Sequence, residues 1–233
     1  MKLLAVDTSG PVCGAAVLDG ERVLAERISQ NRNTHSVSLM PMIEGCLESA
    51  GETLKQMDAL AVTVGPGSFT GVRIGVATVK GLAHGGGKPC IAVDALEALA
   101  LSTGMERQDL LICPIQDARA GQVYGACFRG PARLMEDRPL KLEDYLDQIQ
   151  NLDEGPWLFT GDGVPVHRNR IRELMGDRAL FAGTPFSFLR PSAVGVLAAR
   201  KGTPTDYLGL KETYLRPPNA EKNRKLLEAM RHE

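Results

Sequence analysis

Apolar residues occupy positions 3–6, a polar turn Asp7-Thr8-Ser9-Gly10-Pro11 follows, and a second apolar stretch covers 12–18. Asp19-Gly20 is a hairpin signal and 22–28 reads as a third strand, so the pattern predicts a three-stranded meander. Residues 35–50 read as a helix that ends at Gly51. Its apolar positions fall on two stripes. Val37, Met40, Ile43 or Leu47, and Ala50 make one, while Leu39, Met42 and Cys46 make the other. A half-buried surface helix needs only one stripe. Either this helix is sunk deep in a core, or one stripe meets its own sheet and the other meets a partner. Pro41 either kinks the helix or marks its first turn.

Residues 59–64 form a continuous apolar strand, and Gly65-Pro66-Gly67-Ser68-Phe69-Thr70-Gly71 is a turn. A helix then runs to about His84 and stops at Gly85-Gly86-Gly87. Phe69, Val72, Val76, Val79 and Ala83 form its core stripe. Ile74, Thr78 and Gly81 give a second face of small residues that permits close helix approach. Residues 90–93 are a further strand.

The second half repeats this order. An apolar strand over 110–115 leads to Asp117, then a turn, then Val123-Tyr124-Gly125-Ala126; the first half reads Asp7, turn, Val12-Cys13-Gly14-Ala15. Residues 157–160 enter Gly161-Asp162-Gly163, as 59–64 enter Gly65-Pro66-Gly67, and a helix follows each. The pattern indicates an internal duplication of a supersecondary unit, not a solenoid. Two lobes, each opening on a hairpin around an Asp turn, resemble the duplicated actin-like α/β fold of sugar kinases and Hsp70 ATPases. Lobe I is expected over 1–101, rejoined by a C-terminal helix within about 205–233, and a smaller lobe II over 102–204. Segments 142–150, 166–175, 192–200 and 221–231 read as helices.

Composition narrows the functional classes. Of 233 residues, 43% are apolar, enough for a core, and the net charge of −1 lacks the basic excess of a strong nucleic-acid binder. The basic segments His167-Arg168-Asn169-Arg170-Ile171-Arg172 and Lys222-Asn223-Arg224-Lys225 are either solvated helix faces or tRNA contacts. Five cysteines without a CxxC pair suggest neither a disulfide framework nor a zinc site. With no signal-peptide pattern and no bilayer-length apolar stretch, the expectation is a soluble cytoplasmic protein.

Asp7-Thr8-Ser9 is either a phosphate and hydrated-Mg²⁺ loop or simply a turn built from good turn residues. The second copy, Asp117-Ala118-Arg119, has no hydroxyl; Arg119 either contacts an anion or lies on a solvated surface. Gly65, Gly67, Ser68 and Thr70 precede a helix N-terminus, where an anion is favoured and Ser68 or Thr70 can cap. The Lys-Ser/Thr pair of a P-loop is missing. No G-x-S-x-G elbow and no H-x-x-x-H pair are present, so nucleophilic and metal-dependent catalysis lack a motif.

The run Val64-Gly65-Pro66-Gly67-Ser68-Phe69-Thr70-Gly71-Val72-Arg73-Ile74-Gly75-Val76-Ala77-Thr78-Val79-Lys80-Gly81-Leu82-Ala83 closely resembles the signature of the TsaB (YeaZ) family. Ala5-Val6-Asp7-Thr8-Ser9, His35-Ser36 with Leu39 and Pro41, Asp94-Ala95-Leu96-Glu97-Ala98-Leu99, Asp117-Ala118-Arg119 with Val123-Tyr124, and Tyr214-Leu215-Arg216 extend the resemblance over almost the whole chain. The resemblance implies a non-catalytic subunit in formation of N6-threonylcarbamoyladenosine at position 37 of tRNAs reading ANN codons. TsaD is then its heterodimer partner, TsaE joins the complex, and the chain alone forms a homodimer. It has no cofactor of its own; ATP or ADP is expected at the TsaD interface, and tRNA is engaged through the complex. TsaD carries an H-x-x-x-H metal motif whose two positions fall here on Ala95 and Leu99, neither a ligand. The resemblance also implies pairing through the first two helices, which assigns His35, Leu39, Met42, Ile43, Cys46, Val72, Arg73, Ile74, Thr78 and Gly81 to the partner surface. The competing readings are an autonomous actin-like ATPase or kinase and an M22-type metalloprotease.

Overall fold

A computed structural model describes residues 1–30, 34–104 and 107–216. The apolar opening run forms β1 (Lys2–Asp7), which is followed by β2 (Cys13–Asp19) and β3 (Arg22–Ser29). These three strands make the expected antiparallel meander. After α1 (His35–Ala50), β4 (Ala59–Gly65) pairs parallel to β1. The next elements are α2 (Phe69–Gly86), β5 (Cys90–Asp94) and α3 (Ala95–Ser102). The second lobe contains β6 (Leu111–Asp117), β7 (Gln122–Arg129), β8 (Ala132–Lys141), α4 (Leu142–Leu152), β9 (Trp157–Thr160), α5 (Gly163–Met175) and β10 (Ala179–Phe181). Finally α6 (Pro191–Lys201) and β11 (Pro204–Thr205) close the described chain.

The strand orders are β11-β5-β4-β1-β2-β3 and β10-β9-β6-β7-β8. Setting β11 aside, the two sheets have one topology, so the duplication read from the sequence is a duplication of structure. This is the two-lobed actin-like α/β architecture. Each sheet carries a parallel pair, β1 with β4 and β6 with β9, which leaves the strand ends at one rim. Ligand crevices form at such carboxyl ends.

Alternation along β1 sends Leu4 and Val6 to one face and Leu3 and Ala5 to the other. The first face is covered by α1 and α2, the second by α3 and α6. The chain therefore returns to the first lobe at α6, which packs on β1 and β2, and at β11, which pairs with β5. That return precedes the expected position near 205, so lobe II does not reach 204. The expected helix at 221–231, the basic run at 222–225 and the rest of the C-terminal segment from 217 lie outside the described residues.

α3 is buried at six successive positions from Ala95 to Ala100. Ala95, Ala98 and Leu99 enter the core of the first sheet, while Leu96 and Ala100 join Ile112, Ala126 and Phe128 of the second. This short helix is thus a shared wall between the lobes. Among the described residues, no helix is long and apolar enough to cross a membrane.

Candidate functional site

The two Asp turns face a common cleft between the lobes. One cavity of about 570 Å³ is lined by Ser9, Ser68, Thr70, Asp117, Arg119 and Arg216 among others. A neighbouring cavity of about 310 Å³ lies against Asp7, Leu99, Gln116, Asp117, Asp162 and Phe188. The structure thus brings together Asp7, Ser9, Gly67, Ser68, Thr70 and Arg119 from the sequence-predicted set at one cleft.

Asp7 ends β1 and is fully buried. Its Oδ1 accepts from Thr63 Oγ1 at 2.5 Å and from Ser9 N at 3.0 Å. Burial raises its pKa, and the hydrogen bonds from Thr63 and Ser9 oppose that rise. The Ser9 hydroxyl lies near the carboxylate and helps to lower its pKa, yet completes no hydrogen bond; among the described residues, Ser9 Oγ and Asp7 Oδ2 lack partners. Thr8 is committed elsewhere, because its hydroxyl donates to Gly71 O at 2.7 Å. It is a structural tie between the Asp turn and α2.

The glycine turn is shaped by that close approach. Gly67 has φ of 156°, and a Cβ there would stand 2.4 Å from Ser9 O. Ser68 N donates to Ser9 O at 2.7 Å, and Ser68 Oγ caps α2 by accepting from Gly71 N at 3.2 Å. Ser68 rather than Thr70 is the N-cap, and both are exposed at the cleft rim. Gly65 abuts a chain segment from lobe I, since its Cβ would meet Thr213 O at 2.5 Å.

That segment, residues 207–216, is a strap across the cleft. Thr213 N donates to Val64 O at 2.7 Å. Tyr214 packs on Phe69 with centroids 5.0 Å apart and accepts from Arg73 Nε at 2.8 Å. The Arg73 guanidinium also covers the Phe69 ring at 3.8 Å. Arg216 reaches lobe II, where Nη1 donates to Ala118 O at 2.7 Å.

In lobe II, Arg119 sits at φ 66° and is 88% exposed at its side chain, 3.8 Å from Asp117 Oδ2. Asp162 occupies the turn equivalent to Pro66. Its carboxyl is pushed up to about 6, mainly by burial and further by Asp117, against the pull of a backbone hydrogen bond and of Arg119. Sequence reasoning did not assign Gln116, Asp162, Tyr124 or Arg216 to the cleft. The duplication held the clue for Asp162, since Gly161-Asp162-Gly163 copies the glycine turn.

The expected partner surface divides. Leu39, Ile43 and Cys46 are buried beneath α1, and Val72 beneath α2, in the core of this chain. They are corrected to core residues: the Leu39 stripe points at β2 and β3 rather than outward. Met42 and Ile74 pack partly against the same core. His35 is half-buried and its Nε2 bonds Gly10 O at 2.9 Å, which fixes the start of α1 to the Asp turn. Arg73 and Gly81 are exposed, and Thr78 is half-buried. The outer surface of α1 instead carries Val37, 66% exposed, and Met40, 37% exposed. Both stripes therefore supply core residues, Ile43 from one and Leu39 and Cys46 from the other, and Val37 and Met40 near the start of the helix stay exposed.

The chain matches a family model described as "TsaD: tRNA N6-adenosine threonylcarbamoyltransferase" over residues 22–190. It is 36% identical over 225 residues to the "tRNA threonylcarbamoyladenosine biosynthesis protein TsaB" of Bacillus subtilis (strain 168), covering 95% of this chain and 96% of that protein. Identity to the TsaB protein of Escherichia coli (strain K12) is 33% over 168 residues, 70% of this chain and 72% of that one. A solved structure described as "YeaZ from Pseudomonas aeruginosa" superposes with a TM-score of 0.74 at 26% identity, covering 92% of this chain and 99% of that one. With a relative so similar along nearly its full length, the chain belongs to the TsaB (YeaZ) family and falls under the same transferase family model.

Proposed function

We propose that this chain serves tRNA threonylcarbamoyladenosine biosynthesis as a non-catalytic subunit that binds TsaD through the outer faces of α1 and α2. The observation that carries the proposal is the character of that face. Val37 and Met40 are exposed on α1, Arg73 and Gly81 are exposed on α2, and the two helices lie side by side on one sheet face. Large exposed apolar residues beside a small-residue helix face suit a docked partner. A Cβ on Gly81 would meet nothing within 4 Å, so packing inside this chain does not require a glycine there.

The non-catalytic assignment rests on α3. Ala95 and Leu99 occupy the positions that the resemblance matches to the metal histidines of TsaD, and both are buried and apolar. In this reading TsaE joins through TsaD, the free chain pairs with itself through the same face, and ATP or ADP binds at the TsaD interface. The modified position is N6 of adenosine 37 in tRNAs reading ANN codons, and tRNA is met through the complex.

Reconstituted threonylcarbamoylation tests this. The reaction holds TsaD, TsaE, the adenylate-forming enzyme, ATP, threonine, bicarbonate and tRNA, with this chain wild type, omitted, or as Met40→Glu. Modified tRNA is expected only with the wild-type chain, and at least tenfold less with Met40→Glu, whose site is exposed and leaves the core intact. Full activity without the chain would overturn the proposal.

A further inference from the structure

The smaller interlobe cavity has a one-sided chemistry. Asp7, Asp117 and Asp162 line it, with Gln116 and Gln30, and no Lys, Arg or His lines it among the described residues. Its remaining walls include Leu99, Phe188 and Leu189. Among the described residues, two lining side chains are buried with an unpartnered oxygen: Asp7, 0% exposed, at Oδ2, and Gln116, 4% exposed, at Oε1. Leaving such acceptors unpaired away from water is costly. Both residues line the cavity of about 310 Å³, so a donor bound there lies beside them. Arg119 faces the carboxylates of Asp117 and Asp162 from the other, larger cavity, and His35 lies near enough to Asp7 to lower its pKa.

These acceptors select a ligand class. A phosphate would enter a cavity lined by three aspartates and no cation among the described residues, and be repelled. A point-like divalent ion is disfavoured too, because no three acidic, His or Cys side chains among the described residues converge as a metal would need. A flat cation with several N–H donors spans separated acceptors, and its weakly hydrated faces suit Leu99 and Phe188. We propose that the smaller interlobe cavity, between Asp7, Gln116 and Asp162, is a binding site for a guanidinium group. The site is independent of the α1 and α2 face. Its guanidinium comes from a free small molecule or from an arginine side chain of a polypeptide.

Calorimetry on the full chain tests this with methylguanidinium as the free molecule, N-acetylarginine amide as the side-chain form, and N-methylurea as the neutral isostere. One or both guanidinium probes are expected to bind, and N-methylurea at least tenfold more weakly. The tighter of the two probes identifies the source. Asp162→Asn is expected to weaken binding about tenfold, with unchanged circular dichroism confirming its fold, and Gln116→Leu is a second variant should Asp162→Asn fail to fold. Affinity should fall as pH drops below about 6, where the Asp162 carboxyl takes up its proton. Equal binding of N-methylurea, no binding of either guanidinium probe, wild-type affinity in Asp162→Asn and Gln116→Leu together, or displacement by millimolar Mg²⁺ would each overturn the assignment.

Discussion

Gly75 and Gly81 lie on the same face-to-face helix yet answer to different neighbours. A Cβ on Gly75 would stand 2.5 Å from Thr8 Oγ1 and 3.3 Å from a Val62 methyl, so that glycine is required by the chain's own packing against the Asp turn. A Cβ on Gly81 would stand in open space. Glycine inside a helix costs about 1 kcal/mol relative to alanine. Gly81→Ala should therefore stabilise the isolated protein by about 0.5–1 kcal/mol in urea unfolding, whereas Gly75→Ala should destabilise it by about 1–3 kcal/mol through overpacking. Gly81→Arg should leave the isolated fold intact and weaken capture of TsaD at least tenfold. Unchanged capture with Gly81→Arg would remove α2 from the proposed partner face.

At the scale of elements, the strap of residues 207–216 ties the glycine turn to lobe II. Arg216 makes the crossing bond to Ala118 O, and Tyr214 is held between Phe69 and Arg73. A hydrogen bond from a charged donor is worth about 1.5–3 kcal/mol. Arg216→Ala should therefore speed amide exchange about tenfold in the turn around Ala118 and in the strap, with α1 and β2 unaffected. Exchange unchanged at both places would show that the bond does not hold the strap. Nothing in residues 207–216 announces this role in sequence, because irregular chain held by a few single side-chain and backbone contacts has no hydrophobic period. Legibility elsewhere follows the same physics. The strands β1, β2, β4, β6 and β9 were readable because they are buried runs bounded by turns. β8 was not, since Arg133, Glu136, Asp137, Arg138 and Pro139 give it the charged, proline-bearing face of an edge strand. α3 escaped as an element for the opposite reason: buried on both sides, it has no polar face to mark a helical period. On α1 the pattern revealed two apolar stripes, but periodicity alone does not tell that the core takes residues from both, Ile43 from one and Leu39 and Cys46 from the other.

The two lobes are also joined by charge on the far side of α3. Arg133 of β8 reaches Asp94 at 3.1 Å and Glu97 at 3.6 Å, and it pairs with Asp137 on its own strand. Lys201 of α6 pairs with Glu97. Three carboxylates thus meet two cations in a partly buried clasp that includes both lobes. One acid must be left under-compensated, and it is Asp137, whose carboxyl is pushed up to about 8, chiefly by burial and then by Asp94. Its ordinary value in the unfolded chain is 3.8, so the folded state holds the proton over the interval from about 4 to about 8. Where the native state binds more protons than the unfolded one, stability falls as pH rises. Unfolding free energy should accordingly decline across that interval and level off above about pH 8. Asp162 contributes with the same sign, but its carboxyl is raised only to about 6. Asp7, also raised by burial, acts with the same sign, and the share of the decline between pH 6 and 8 that belongs to Asp137 should be on the order of 2 kcal/mol at about 1.4 kcal/mol per pH unit for one proton. Asp137→Asn replaces the protonated acid with a neutral group of the same shape. Urea titrations at pH 6 and pH 8 should then show a loss of stability at the higher pH that is smaller in the variant than in the wild type by about that amount. A wild-type profile that is flat or rises between pH 6 and 8 would show that Asp137 is already ionised, and that Arg133 compensates all three carboxylates of the clasp.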